Sequence, residues 1–121
     1  MQVADIMISP VVFTQKKVTV ASLKKMLSRK QINAVPVIDE ENESISGIIS
    51  TSNIIACSDE SITVGELMSD FVHVVMPTNR VKDAARTMVK HGVHHLVVMG
   101  EGKVVGMLSS MDIMKVYAEV E

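Results

Sequence analysis

Apolar residues recur along this chain in two registers that alternate. Between Val20 and Gln31 they fall at Val20, Leu23 and Leu27, the spacing of one helix face. The same spacing returns between Val81 and His91 at Val81, Ala84, Ala85 and Met88, and Gly92 suits the C-terminal end of that helix. Each helical stretch is followed by a short β-rich run, Ala34–Ile38 and His95–Met99. A polar turn and a second such run come next, Ser44–Ile49 and Lys103–Leu108, so two hairpins are predicted. Further helices are predicted over Thr51–Ala56 and from Ser110 to about Val120, with Ser50 and Ser109 placed to cap them. Val11–Thr14 and His73–Met76 read as short strands ahead of the long helices. The order is strand, helix, strand, strand, helix, stated twice.

The chain also repeats itself residue by residue. A displacement of 61 residues lays Val3-Ala4-Asp5-Ile6-Met7 on Val64-Gly65-Glu66-Leu67-Met68, and Val35-Pro36-Val37-Ile38 on Leu96-Val97-Val98-Met99. Past the first β-run the displacement shrinks by two residues, matching Gly47 to Gly106, Ser50 to Ser109 and Asn53 to Asp112. The change falls between Asp39 and Ser46, and insertions belong in surface turns, so it supports a hairpin there. Internal repeats of this kind define the architecture. The expectation is a mixed α/β (α+β) fold of two β-α-β-β-α motifs, over 1–60 and 61–121, each too small to be stable without the other.

Composition narrows the class. Apolar residues make up 47% of the 121, but only Phe13, Phe71 and Tyr117 are aromatic, against ten methionines. The core must be built from Val, Ile, Leu and Met, and Met26, Met88, Met107 and Met114 are expected to be buried filler. A net charge of −2 offers no global attraction to nucleic acid. No apolar run approaches the roughly 18 residues of a membrane span, and the N-terminus lacks the basic-then-apolar layout of a signal peptide, so neither is expected. Cys57 stands alone, which excludes an internal disulfide. A cytoplasmic location is expected.

The segments Gly47-Ile48-Ile49-Ser50-Thr51-Ser52-Asn53 and Gly106-Met107-Leu108-Ser109-Ser110-Met111-Asp112 carry candidate chemistry. A serine at a strand-to-helix junction lies beside unpaired N–H groups and the positive end of the helix dipole, where a phosphate is favoured. A carboxylate three residues on can accept hydrogen bonds from both hydroxyls of a ribose. The plainer alternative is that Ser109 and Asp112 only cap a helix. Asn53 in place of Asp112 loses the charge-assisted bond, so the first copy should bind more weakly.

These two segments, with Ala34-Val35-Pro36-Val37-Ile38-Asp39 and its echo His94-His95-Leu96-Val97-Val98-Met99, resemble the cystathionine β-synthase (CBS) domain, repeated in tandem over essentially the whole chain. The resemblance implies a stand-alone pair of CBS motifs forming one pseudo-two-fold unit with two clefts, each drawing on both copies. The principal cleft would take Val11, Val12, Ile32 and Asn33 from the first copy and His94, Met107, Ser109 and Asp112 from the second. Its apolar members would sandwich a purine. The second, weaker cleft would involve Val93, Ile48, Ser50 and Asn53. The implied function is regulatory: sensing an adenine nucleotide (AMP, ADP or ATP) or S-adenosylmethionine, by a homodimer read by a protein partner. A scaffold with vestigial clefts is the alternative, and a nucleic-acid-associated regulator ranks below it.

Other features are weaker. His91-Gly-Val-His94-His95 invites a metal reading completed by Cys57 and His73, but Gly92 interrupts the helix and adjacent strand residues face opposite ways. No metal site is expected. The cations Lys24, Lys25, Arg29 and Lys30, with Lys82, Arg86 and Lys90, fall on the two equivalent helices as solvated faces. Neither copy arranges a nucleophile with a base, so no catalysis is expected.

Overall fold

The computed structural model describes residues 1–119; the expected end of the last helix at Val120, and the last two residues of the second motif, lie outside them. A 3-10 turn at Val3–Asp5 is followed by α1 (Val20–Lys30), β1 (Ala34–Ile38), β2 (Ile45–Ser50) and α2 (Thr51–Ile55). The second copy contributes α3 (Val64–Leu67), β3 (Val74–Val75), α4 (Val81–His91), β4 (His95–Gly100), β5 (Lys103–Ser109) and α5 (Ser110–Glu119).

Local chemistry explains the ends of the long helices. Thr19 caps α1, its Oγ1 accepting from the Ser22 N–H at 3.2 Å, and Arg29 and Lys30 sit in the last turn against the dipole. Gly92 ends α4 in the left-handed region at φ 64°, whereas Gln31 takes the same conformation at φ 54° after α1. The short helices at Val3 and Val64 begin with reciprocal boxes. The Gln2 N–H donates to Asp5 Oδ2 and the Thr63 N–H to Glu66 Oε2, both at 2.8 Å.

The antiparallel hairpins β1–β2 and β4–β5 run in equivalent registers, Ala34 opposite Ser50 and His95 opposite Ser109, each with one irregularity near the turn. Their turns absorb the two-residue difference. Glu101 and Gly102 both have positive φ, as a tight two-residue hairpin turn requires. The longer first turn is organised by Asp39, whose Oδ1 accepts from the Glu41 and Asn42 N–H groups. Those bonds, the backbone N–H groups first, hold the Asp39 carboxyl below its ordinary range. β3 adds to β4 in parallel, Val75 opposite Val98. The strand expected over Val11–Thr14 shrinks to one parallel bridge, Thr14 to Val37, so β1 and β2 form a two-stranded sheet.

Packing divides the chain differently from the sequence repeat. One compact unit joins Met1–Val11 to the residues from His73 onward; the other is Val12–Val72. In the first, Val3, Val75, Ala84, Met88, Leu96, Val98 and Leu108 form the core. In the second the core is Val20, Leu23, Leu27, Val35, Val37, Ile49, Ile54 and Val64. Val3 and Val64, equivalent by sequence, have therefore exchanged partners, and the backbone bonds follow suit. The Val3 and Ala4 N–H groups donate to Asn79 and Pro77, while those of Val64 and Gly65 donate to Val18 and Lys16. Both cores lack aromatic side chains. Met88 and Met107 are buried and Met26 partly so, but Met114 is 58% exposed, against expectation, because α5 buries none of its residues.

Candidate ligand site

Within the first unit, Ser109 ends β5 and Asp112 lies in the first turn of α5. The two cap each other: the Ser109 N–H donates to Asp112 Oδ2 at 2.8 Å, and the Asp112 N–H donates to Ser109 Oγ at 3.1 Å. The Ser110 N–H donates to the His94 carbonyl at 2.8 Å. The junction is therefore not the open helix N-terminus the sequence suggested, since three of its N–H groups already have acceptors. An ionised carboxylate offers about four lone-pair sites, so capping leaves Asp112 able to accept from a ligand. The geometry favours recognition of hydroxyl donors, such as a ribose diol, over capture of an anion by bare N–H groups.

The second unit repeats the junction with different chemistry. Asn53 Oδ1 accepts from both the Ser50 N–H at 2.9 Å and the Ser50 hydroxyl at 3.0 Å. An amide oxygen has two lone pairs: the Ser50 N–H takes one, and the Ser50 hydroxyl, which also lies 2.8 Å from Ser52 Oγ, is placed to take the other. The Thr51 N–H donates to the Asn33 carbonyl at 2.8 Å, repeating the bond between Ser110 and His94.

The glycine at the head of each segment has a steric reason. A Cβ on Gly106 would lie 2.8 Å from Met7 Sδ and 2.9 Å from the Ile8 carbonyl oxygen. One on Gly47 would lie 2.5 Å from the Ser69 carbonyl oxygen and 2.8 Å from Met68 Sδ. The following residues, Met107 and Ile48, pair through their backbones with Ile8 and Ser69. Sequence spacing finds the glycines; only packing shows what approaches them.

The other candidates divide between the units. Val11, Val93, His94 and Met107 belong with Ser109 and Asp112, and Val12, Ile32, Asn33 and Ile48 belong with Ser50 and Asn53. Val93 packs against the first core, as Val12 and Ile32 pack against the second. His94 is exposed. Its neighbour His95 is half-buried and stands directly opposite Ser109 in the hairpin. Burial, reinforced by the nearby His94, lowers the His95 pKa below its ordinary value, and the charge of Asp112 partly opposes this. Sequence reasoning weighed His95 only as a metal ligand; strand alternation relative to Ser109 was the signal for its place beside the junction. His91 stacks on His73 with ring centroids 4.4 Å apart. Among the described residues no three His, Cys, Asp or Glu side chains gather as a metal site, and no helix is long and apolar enough to cross a membrane.

Comparison with known proteins adds a family. The model of the CBS domain matches residues 3–60 and 64–119. Among curated proteins, MJ1225 of Methanocaldococcus jannaschii is 30% identical over 117 residues, covering 93% of this chain and 41% of the relative. MJ0188 of the same organism is 32% identical over 118 residues, covering 94% and 43%. The chain thus spans about two fifths of the length of these relatives. Among solved structures, the CBS domain pair of protein MJ0100, in complex with 5′-methylthioadenosine and S-adenosyl-L-methionine, superposes with a TM-score of 0.90. It is 26% identical, with 98% of this chain and 96% of that one covered.

Proposed function

The chain belongs to the CBS domain family, and from that premise we propose that it is a regulatory, non-catalytic module that binds an adenosine-containing ligand at the Ser109–Asp112 junction. The observation that carries this is the Asp112 carboxylate, held in place by the Ser109 N–H with acceptor capacity to spare. It accepts the two ribose hydroxyls. Because three junction N–H groups are already bonded, the ribose is the anchor and a phosphate is secondary. AMP, ADP, ATP and S-adenosylmethionine are therefore all admissible, and the adenosyl ligands of the MJ0100 domain pair support that class. The Ser50–Asn53 junction binds more weakly. A homodimer is the form in which binding is read out: α5 leaves Met111, Met114 and Tyr117 exposed, an apolar face suited to a second copy.

Melting of the chain with AMP, ADP, ATP, S-adenosylmethionine and 5′-methylthioadenosine tests the proposal. A ligand at one hundred times its Kd stabilises the folded state by about 2.7 kcal/mol, a readily measured rise. The rise should vanish in Asp112→Ala and shrink for 2′-deoxy analogues. An unmoved melting temperature across the panel at millimolar concentration would sink it.

A further inference from the structure

Methionine is exchanged freely between the two copies, with one exception. Where one copy has Met88, Met107 or Met114, the other has Leu27, Ile48 or Ile55. Of the ten methionines, only Met7 and Met68 are set opposite each other by the repeat. Their neighbours differ: Ile6 and Ile8 in one copy, Leu67 and Ser69 in the other. Both thioethers lie on a glycine. Met7 Sδ and Cγ stand 2.8 and 3.2 Å from the place of a Cβ on Gly106, and Met68 Sδ covers Gly47 at 2.8 Å. Apolar filling alone does not call for sulfur at this position, since Leu or Ile replaces Met elsewhere in the repeat.

We infer that Met7 is an oxidation site, whose conversion to the sulfoxide by a peroxide loosens β5 and weakens ligand binding at Ser109 and Asp112. The sulfur attacks one peroxide oxygen and the O–O bond breaks. The departing hydroxide takes the proton from the transferred oxygen, leaving sulfoxide and water. Met7 is half-buried, so an oxidant reaches it more readily than the buried Met88 and Met107. A polar oxygen is unfavourable where the thioether packs on buried Gly106 and the apolar core, so the oxidised side chain lifts away. Two backbone bonds carry that movement to β5. The Ile8 N–H donates to the Met107 carbonyl at 2.8 Å, and the Met107 N–H to the Ile8 carbonyl at 3.2 Å. Ser109, whose N–H holds Asp112, ends the same strand two residues on. Reduction by a thiol-dependent reductase restores the thioether, so the change is reversible. The weakened binding rests on the adenosine reading of the junction; the loosening of β5 does not.

Treatment of the intact chain with hydrogen peroxide, quenched by catalase, tests this, with peptide mass spectrometry reporting oxidation at each methionine. Met7 sulfoxide should form at doses that spare Met88 and Met107. The oxidised chain should bind AMP about tenfold more weakly, an ordinary size for coupling between sites. Its Ile8 and Met107 amides should exchange with solvent about tenfold faster, read by NMR without ligand. Met7→Leu should keep its AMP affinity and lose the sensitivity to peroxide. Met68→Leu should remain as sensitive as the parent, because Met68 packs in the other unit. Met7→Gln, which carries a polar oxygen without oxidation, should bind AMP weakly in the absence of peroxide. Three results overturn the inference: Met7 sulfoxide that leaves AMP affinity and amide exchange unchanged, Met7→Leu that is as sensitive to peroxide as the parent, or Met7 that stays reduced until Met88 and Met107 are oxidised. If the untreated chain binds no AMP, the adenosine reading is what has failed, and the exchange of Ile8 and Met107 still decides whether oxidation releases β5.

Discussion

The Ser50–Asn53 and Ser109–Asp112 junctions share a backbone and differ in one functional group. In both, a strand ends on serine, a helix begins on the next residue, and the side chain three positions on returns to the serine N–H. In the first copy the returning oxygen is an amide with only two lone pairs, one taken by the serine N–H and the other facing the serine hydroxyl. In the second it belongs to a carboxylate with acceptor sites left over. The difference teaches that capping does not by itself exclude ligand binding. The same atoms can do both when the acceptor is a carboxylate, and do mainly the first when it is an amide.

The predictions probe that pairing of copies, beginning with the largest effect. Gly47→Ala should cost roughly 3 kcal/mol and Gly106→Ala about 2 kcal/mol in urea unfolding, because overpacking against backbone carries penalties of this order. The ranking follows the approach, 2.5 Å to the Ser69 oxygen against 2.9 Å to the Ile8 oxygen. Equal, negligible costs would mean that the segments carrying Met7 and Met68 yield easily. Exchanging the junction chemistry should exchange affinity: Asp112→Asn weakens adenosine-ligand binding about tenfold, and Asn53→Asp strengthens the first junction comparably, by the margin of a charge-assisted over a neutral hydrogen bond. Calorimetric titration checks both, and affinities indifferent to the swap would refute the assignment of ribose to Asp112.

A smaller effect separates the helix ends. Gln31→Gly should stabilise by roughly 0.5–1 kcal/mol, since a non-glycine residue in the left-handed region is strained by more than glycine loses in chain entropy. Gly92→Ala should lose a similar amount, with no steric contribution because nothing lies within 4 Å of its added Cβ. The smallest effect concerns pH. Burial lowers the His95 pKa in the folded chain, so the unfolded chain takes up the proton first. Its contribution to stability is complete above about pH 6.5 and is lost as pH falls towards the lowered folded value. His95→Asn should flatten the slope of melting temperature against pH below 6.5, and an unchanged slope would place its source elsewhere.

Much of the fold was legible because periodicity and turns are local. α4 runs over the residues that apolar spacing marks, β1 over its β-rich run, and the length mismatch between copies falls in the hairpin turn. The short helices at Val3 and Val64 went unassigned, since three or four residues carry no period. Val11–Thr14 keeps one bridge rather than a strand, and Met114 faces outward although its residue type suits a core. At the candidate site, Ser109 and Asp112 were visible as a spacing, but the engagement of the junction N–H groups was not.

By itself, the sequence determined the two-fold repeat, the order of elements, an aromatic-free core and the Asp-for-Asn difference between copies, because each is written in residue type and spacing. Only the tertiary structure decided that Val3 packs with the second copy and Val64 with the first, that Gly47 and Gly106 admit a neighbouring backbone, and that His95 stands opposite Ser109. Those outcomes depend on which distant segments share a core and on how strands register, and such long-range choices leave no periodic trace in the chain.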